Sequence, residues 1–140
     1  MPEPDIVDKL SRLALFAELP RTQIESIAHR FDEALFAEGE RVLRTGLTGG
    51  ALYVIVEGEA AIRIEGVERA RFGPGEFFGE IGVLLDEVPN ADVEAATILR
   101  CLSIPGADVK PFLISFPAVM YRMLQTEARR LRVTTEWKTA

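Results

Sequence analysis

Residues 51–66 read ALYVIVEGEAAIRIEG. Six apolar residues run without interruption before Glu57, and Gly58 breaks the run. In the second half, Ile62 and Ile64 alternate with Arg63 and Glu65. That period of two is the signature of a strand with one face buried. Gly66 then ends it. The stretch therefore predicts two short strands with a glycine turn between them.

The same grammar extends in both directions. Short apolar runs start with ALF at Ala34 and continue through RVLR, VERARF, ADVEAATI and LRCLSI to Ile104. Between them stand Gly39, Gly46, Gly49 with Gly50, and GPG at 73–75. Many short strands at regular spacing suggest a β-sandwich or jelly roll of about seven or eight strands.

Helical periodicity brackets this region. PDIVDKLSRLALF places Ile6, Leu10 and Leu13 on one face, with Asp5 as the expected N-cap. TQIESIAHRF repeats the pattern with Ile24, Ile27, Ala28 and Phe31, and Thr22 with Glu25 has capping-box spacing. After Pro105, GADVKPFLISF predicts a short helix and residues 117–137 a longer one. Phe116, Met120, Met123, Leu124 and Leu131 form its stripe, with Arg122, Arg129, Arg130 and Arg132 mostly off it. The fold class is α+β. Helices at 1–33 and 105–140 flank a β-roll at 34–104, and residues 1–140 are expected to be one domain.

Composition narrows the function. The chain has 140 residues and a formal charge of −6. An acidic chain is poorly suited to nucleic acid, whose phosphates are neutralised by Lys and Arg. A single cysteine, Cys101, excludes an internal disulfide framework and multi-cysteine metal sites. A single histidine, His29, leaves a catalytic triad or histidine-rich metal site without its members. The start MPEPDIVDKL shows no signal-peptide pattern, and no stretch reaches the ~18 apolar residues of a membrane span. The expectation is a cytoplasmic, non-enzymatic protein that contacts neither nucleic acid nor membrane.

Residues 77–94, FFGEIGVLLDEVPNADVE, carry the most chemistry. A glycine lets the backbone approach a ligand closely. Free N–H groups at the start of a short helix favour an anion. Glu80 can accept hydrogen bonds from hydroxyl groups, or simply complement a helix start. Asp86 and Glu87 read as a solvated loop before a metal site. Asn90 offers a neutral hydrogen bond or serves as a turn residue after Pro89.

With LSRLALFAELPRTQIESIAHRF, EGERVLRTGLTGGALYVIVEGEAAI and RFGPGEFFGEIGVLL in this order, the chain resembles the cyclic-nucleotide-binding domains. These are the sensor modules of catabolite-activator-type regulators, cyclic-nucleotide-dependent kinases and gated channels. The resemblance implies a jelly-roll β-barrel of about eight strands with a phosphate-binding cassette at 77–94. It implies that Glu80 binds the ribose 2′-hydroxyl of cAMP or cGMP. It implies that backbone amides of Gly79, Ile81, Gly82 and near Ala91 approach the phosphate, with Phe78 beside them. The family's arginine is missing, because Pro89 or Asn90 stands at its place, and Asp92 adds an acid. Arg63, Arg69 and Arg71 are candidate substitute cations. Trp137 is either an aromatic lid over the base or a tail residue, and a haem between His29 and Cys101 is the remote cofactor reading. Two functions follow: a sensor with weakened or lost cAMP or cGMP binding, or a domain that serves only protein interaction. In either, the C-terminal helix offers a surface for a homodimer or an effector protein, and its apolar stripe fits packing within the chain equally well. A stand-alone transcription factor is not expected, because eight residues after Arg132 cannot hold a helix-turn-helix.

Overall fold

A computed structural model of the chain describes residues 5–43, 50–88 and 91–139, with side chains described as far as residue 134 at the C-terminal end. Two helices come first: α1 (Ile6–Ser11), then a 3-10 turn (Ala14–Phe16), then α2 (Arg21–Arg30). Eight strands follow: β1 (Asp32–Phe36), β2 (Arg41–Leu43), β3 (Ala51–Glu57), β4 (Ala60–Ile64), β5 (Val67–Phe72), β6 (Phe77–Phe78), β7 (Asp92–Ala95) and β8 (Leu99–Pro105). The six-residue helix α3 (Glu80–Leu85) lies between β6 and β7. The chain then runs through α4 (Gly106–Ser115) and α5 (Pro117–Thr139). Phe116 alone joins these last two helices, and its ring packs on Phe112 at 5.4 Å between centroids.

The strands form two four-stranded antiparallel sheets, β1-β8-β3-β6 and β2-β7-β4-β5. The expected barrel is thus seen as two sheets facing each other. The uninterrupted run of β3 now has a reason. Its even residues Leu52, Val54 and Val56 pack on the helices, together with Leu102 and Ile104 of β8. Its odd residues Tyr53 and Ile55 face the second sheet with Leu99, Cys101, Val93 and Ala95. Both faces of this central pair are buried, so alternation disappears from the sequence. Burial pushes the Cys101 thiol up to about 12, which fits a small core residue. His29 lies exposed on α2.

Gly58 makes the β3–β4 turn. Its φ is +88°, and a Cβ there would come within 2.1 Å of the Ile98 carbonyl oxygen. Only glycine fits without moving backbone.

Two expected caps are absent. Asp5 makes no side-chain cap to α1. Its carboxylate instead takes both Arg100 Nη atoms at 3.1 Å, and Arg100 also binds Glu33 at 2.6 Å. A bidentate guanidinium is a stronger partner than a backbone N–H, so α1 is tied to β8. The helix α2 begins after Pro20, which places Thr22 inside it and leaves no capping box. The expected α5 stripe also splits: Met123 is buried, whereas Met120, Leu124 and Leu131 are exposed.

The helical layer converges on Phe112, fully buried and edge-on to Phe31, which caps the end of α2, at 5.4 Å. Replacing a core phenylalanine by alanine removes its transfer free energy and leaves a cavity. Phe112→Ala should therefore lower unfolding stability by about 3–5 kcal/mol in urea titration, with the m-value unchanged.

Candidate functional site

The site begins where β6 ends. Phe77 and Phe78 pair with Val54 and Tyr53 of β3, and the Phe78 ring stacks on Tyr53 at 5.2 Å. Gly79 then turns in the left-handed conformation, φ +87°, and a Cβ would sit 2.4 Å from the Ala51 carbonyl oxygen. The glycine therefore lets the chain pass tightly over β3 and start α3 with Glu80 pointing inward. Glu80 is 4% exposed and is the one buried charged residue among those described.

Above it lies a cavity of about 390 Å³. Its floor is apolar, formed by Leu43 of β2, Ile62 and Ile64 of β4, Phe72 of β5 and Val93 of β7. One side is the run Phe78–Gly82 with Ala91, and the roof is Glu127, Arg130, Leu131 and Thr134 of α5. A concave apolar pocket with a few convergent polar groups is the usual form of a small-molecule site.

Arg130 dominates the roof. Its Nη1 donates to Glu80 Oε2 at 3.1 Å and to Glu127 Oε1 at 3.1 Å. Its Nη2 donates to the Phe77 carbonyl oxygen at 2.7 Å. The guanidinium carbon stands 4.2 Å from the Phe72 ring centroid and 4.5 Å from that of Phe77. Two aromatic faces, a backbone carbonyl and two carboxylates thus hold one planar cation, a task lysine could not copy. Burial pushes the Glu80 carboxyl up to about 7, and the neighbouring Glu127 adds to this while Arg130 opposes it.

The expected site residues fall into three groups. Phe78, Gly79, Glu80, Ile81, Gly82 and Ala91 come together on the cavity wall. Asp92 is not among its lining residues; it sits on β7 in register with Arg63 of β4. Pro89 and Asn90 lie outside the described residues, as does the side chain of Trp137 on α5. Nor do the candidate cations line the cavity. Arg63 pairs with Glu94 at 3.5 Å, and Arg71 with Glu68 at 2.9 Å. Arg69 is exposed on an adjoining groove that shares Ile62, Ile64, Phe72, Arg130 and Thr134 with the cavity. Among the described residues Arg130 is the cation lining the cavity, and the sequence reading placed it among the arginines mostly off the α5 stripe. A signal was present in the spacing of Glu127, Arg130, Leu131 and Thr134, which shares one helix face.

Known proteins carry the same architecture. A family model described as the cyclic nucleotide-binding domain matches residues 33–115. The chain is 32% identical over 119 residues, 83% of its length, to a Rhodopseudomonas palustris protein described as a potassium channel. It is 36% identical over 110 residues, 74% of its length, to a cGMP-dependent protein kinase of Caenorhabditis briggsae. It spans 29% and 14% of these two relatives. The crystal structure of the Thermus thermophilus catabolite activator protein superposes with a TM-score of 0.75 at 28% identity, covering 86% of this chain and 59% of that one.

The buried carboxyl gives a signed pH dependence. Burial, with Glu127 beside it, raises the Glu80 carboxyl from an ordinary 4.5 to about 7 in the folded chain. The folded state therefore binds more protons between these values, and stability must fall as pH rises from about 4.5 to about 7. The loss should be on the order of 3 kcal/mol and should level off above it. Glu80→Gln, which carries no ionisable proton, should flatten the curve in urea titrations across that window.

Proposed function

Because the chain belongs to the cyclic nucleotide-binding domain family, we propose that it is a non-catalytic regulatory sensor whose cavity under α5 receives cAMP or cGMP. The observation that carries this reading is Glu80, a carboxylate buried at a ligand-sized cavity and gripped by the roof helix. A ribose hydroxyl reaching Glu80 must share or replace its bond to Arg130. Ligand occupancy is then felt directly by α5, which is what a sensor needs: a differential contact between two states.

Binding is weaker than in relatives that carry the cassette arginine. Pro89 or Asn90 stands at its place in the sequence, and neither is basic. The loss of one charge-assisted hydrogen bond corresponds to about 1.5–3 kcal/mol, or about 10- to 150-fold in affinity. Arg130 does not replace that arginine at no cost, because it already serves Glu80, Glu127 and the Phe77 carbonyl.

A second reading, in which the domain serves protein interaction, draws on the outer face of α5. Tyr121 and Leu124 are 61% and 63% exposed, and with the exposed Ala128 they follow the three-and-four spacing of a coiled-coil seam, which Leu131 at the edge of the cavity roof continues. A second copy pairing along this seam gives a homodimer. The two readings are compatible.

Isothermal titration with cAMP and cGMP separates them. The sensor reading expects micromolar or weaker binding that Glu80→Ala reduces by at least about tenfold. Silence up to millimolar nucleotide, or indifference to Glu80→Ala, would sink it. Light scattering on a sizing column tests the seam: a dimer that Tyr121→Glu with Leu124→Glu turns into a monomer is expected, and an unaltered mass contradicts it.

A further inference from the structure

Charge counting in the cavity leads one step further. The charged residues described on its walls are Glu80 of α3 and Glu127 and Arg130 of α5. Both carboxylates lie 3.1 Å from the same Arg130 nitrogen. With both ionised, the cluster carries one negative charge more than its cation can balance. The surrounding surface is the apolar side of β2, β4, β5 and β7.

The other charges on the packed elements point elsewhere. Arg63 of β4 is held by Glu94 of β7 and Glu68 of β5, and Asp92 stands opposite it in register. Arg71 of β5 binds Glu68 and Glu59, and Arg69 is exposed on an adjoining groove that shares Ile62, Ile64, Phe72, Arg130 and Thr134 with the cavity but not Glu80 or Glu127. Arg41 of β2 is exposed and pairs in register with Glu94. Glu76, before β6, accepts from the Gly73 amide. Just after α3, Asp86 and Glu87 line a depression with Gly50 and Gly106. On α5, Arg129 bonds Thr126 and lines the groove, and Arg132 is exposed.

An anionic ligand entering this space meets a net negative cluster under an apolar wall, where repulsion is poorly screened. A neutral ligand of the same shape meets none. We propose that the cavity takes an anionic ligand together with one solvent proton, and that the Glu80–Glu127 carboxylate pair is the proton's seat. A shared proton makes the cluster neutral while leaving a carboxyl able both to donate to and to accept from a ribose hydroxyl. The raised Glu80 carboxyl agrees with this arrangement, since two carboxylates at one site hold a proton more tightly than one. This inference rests on the nucleotide-sensor reading, and its test separates the two.

Isothermal titration from about pH 6 to about pH 8.5 compares cAMP, an anion, with adenosine, which keeps the base and ribose but lacks the charge. Uptake of one proton predicts that cAMP affinity falls about tenfold per pH unit above about 7, while adenosine affinity stays level. Buffers of different ionisation enthalpy should report the same single proton. Glu127→Gln should flatten the cAMP slope, because one carboxylate then faces one guanidinium. A flat cAMP profile in the wild-type protein, or equal slopes for cAMP and adenosine, overturns the proposal and leaves the sensor reading standing. No cAMP binding at any pH overturns both. The proton seat is tested separately, without ligand, by carbon-13 titration of the side-chain carboxyls in the free protein. Two independent titrations near the ordinary glutamate value contradict the pair, and one shared proton lost near neutrality, abolished in Glu127→Gln, supports it.

Discussion

The guanidinium of Arg130 is the point at which the two sheets, α3 and α5 meet. It lies between the rings of Phe72 and Phe77, one from each sheet. It bonds the backbone of β6 and the first residue of α3. Removing one partner from a buried ion pair is costly because it strands the other charge in low dielectric. The position of α5 across the cavity is therefore tied to the ionisation of Glu80. Val119 and Met123 hold the start of α5 in the core, and this contact holds its later turns over the carboxylate.

This arrangement depends on the central strands having two buried faces. Because β3 and β8 are covered by helices on one side and by the second sheet on the other, they form a rigid wall. Gly79 can approach that wall closely enough to aim Glu80 into the cavity. Close-packed interiors transmit small shifts rather than absorb them. A change at Glu80 is then passed to α5 and to its exposed apolar seam, which joins the two proposed readings in one molecule.

Much of this was legible in the sequence where local pattern and long-range packing agree. The unbroken apolar run at 51–56, the glycine at 58 and the helical stripe at 24–28 each carry their own structural reason. The wall residues Phe78 to Gly82 were legible because a glycine between aromatics and an acid has few other uses. What escaped detection depends on partners distant in the chain. The two-residue strand β6 is defined only by pairing with β3. Asp5 has every property of a cap until Arg100, far along the sequence, claims it. Arg130 looks like a solvated arginine on a helical wheel, since a wheel gives direction around the axis but not how far a long side chain reaches. Its aromatic partners lie more than fifty residues earlier.

The single residue between α4 and α5 has a mechanical meaning. With α4 fixed in the core by Phe112, Phe116 is the joint, and α5 is a lever about it. Arg130 sits about 20 Å along that lever at 1.5 Å per residue. A rotation of roughly ten degrees at Phe116 would displace the guanidinium by about 3–4 Å, as far as one hydrogen bond is long. The tip of the helix would travel further still. The contact at Glu80 thus needs only to be lost, not remodelled, for a motion small at the core to become large at the exposed end.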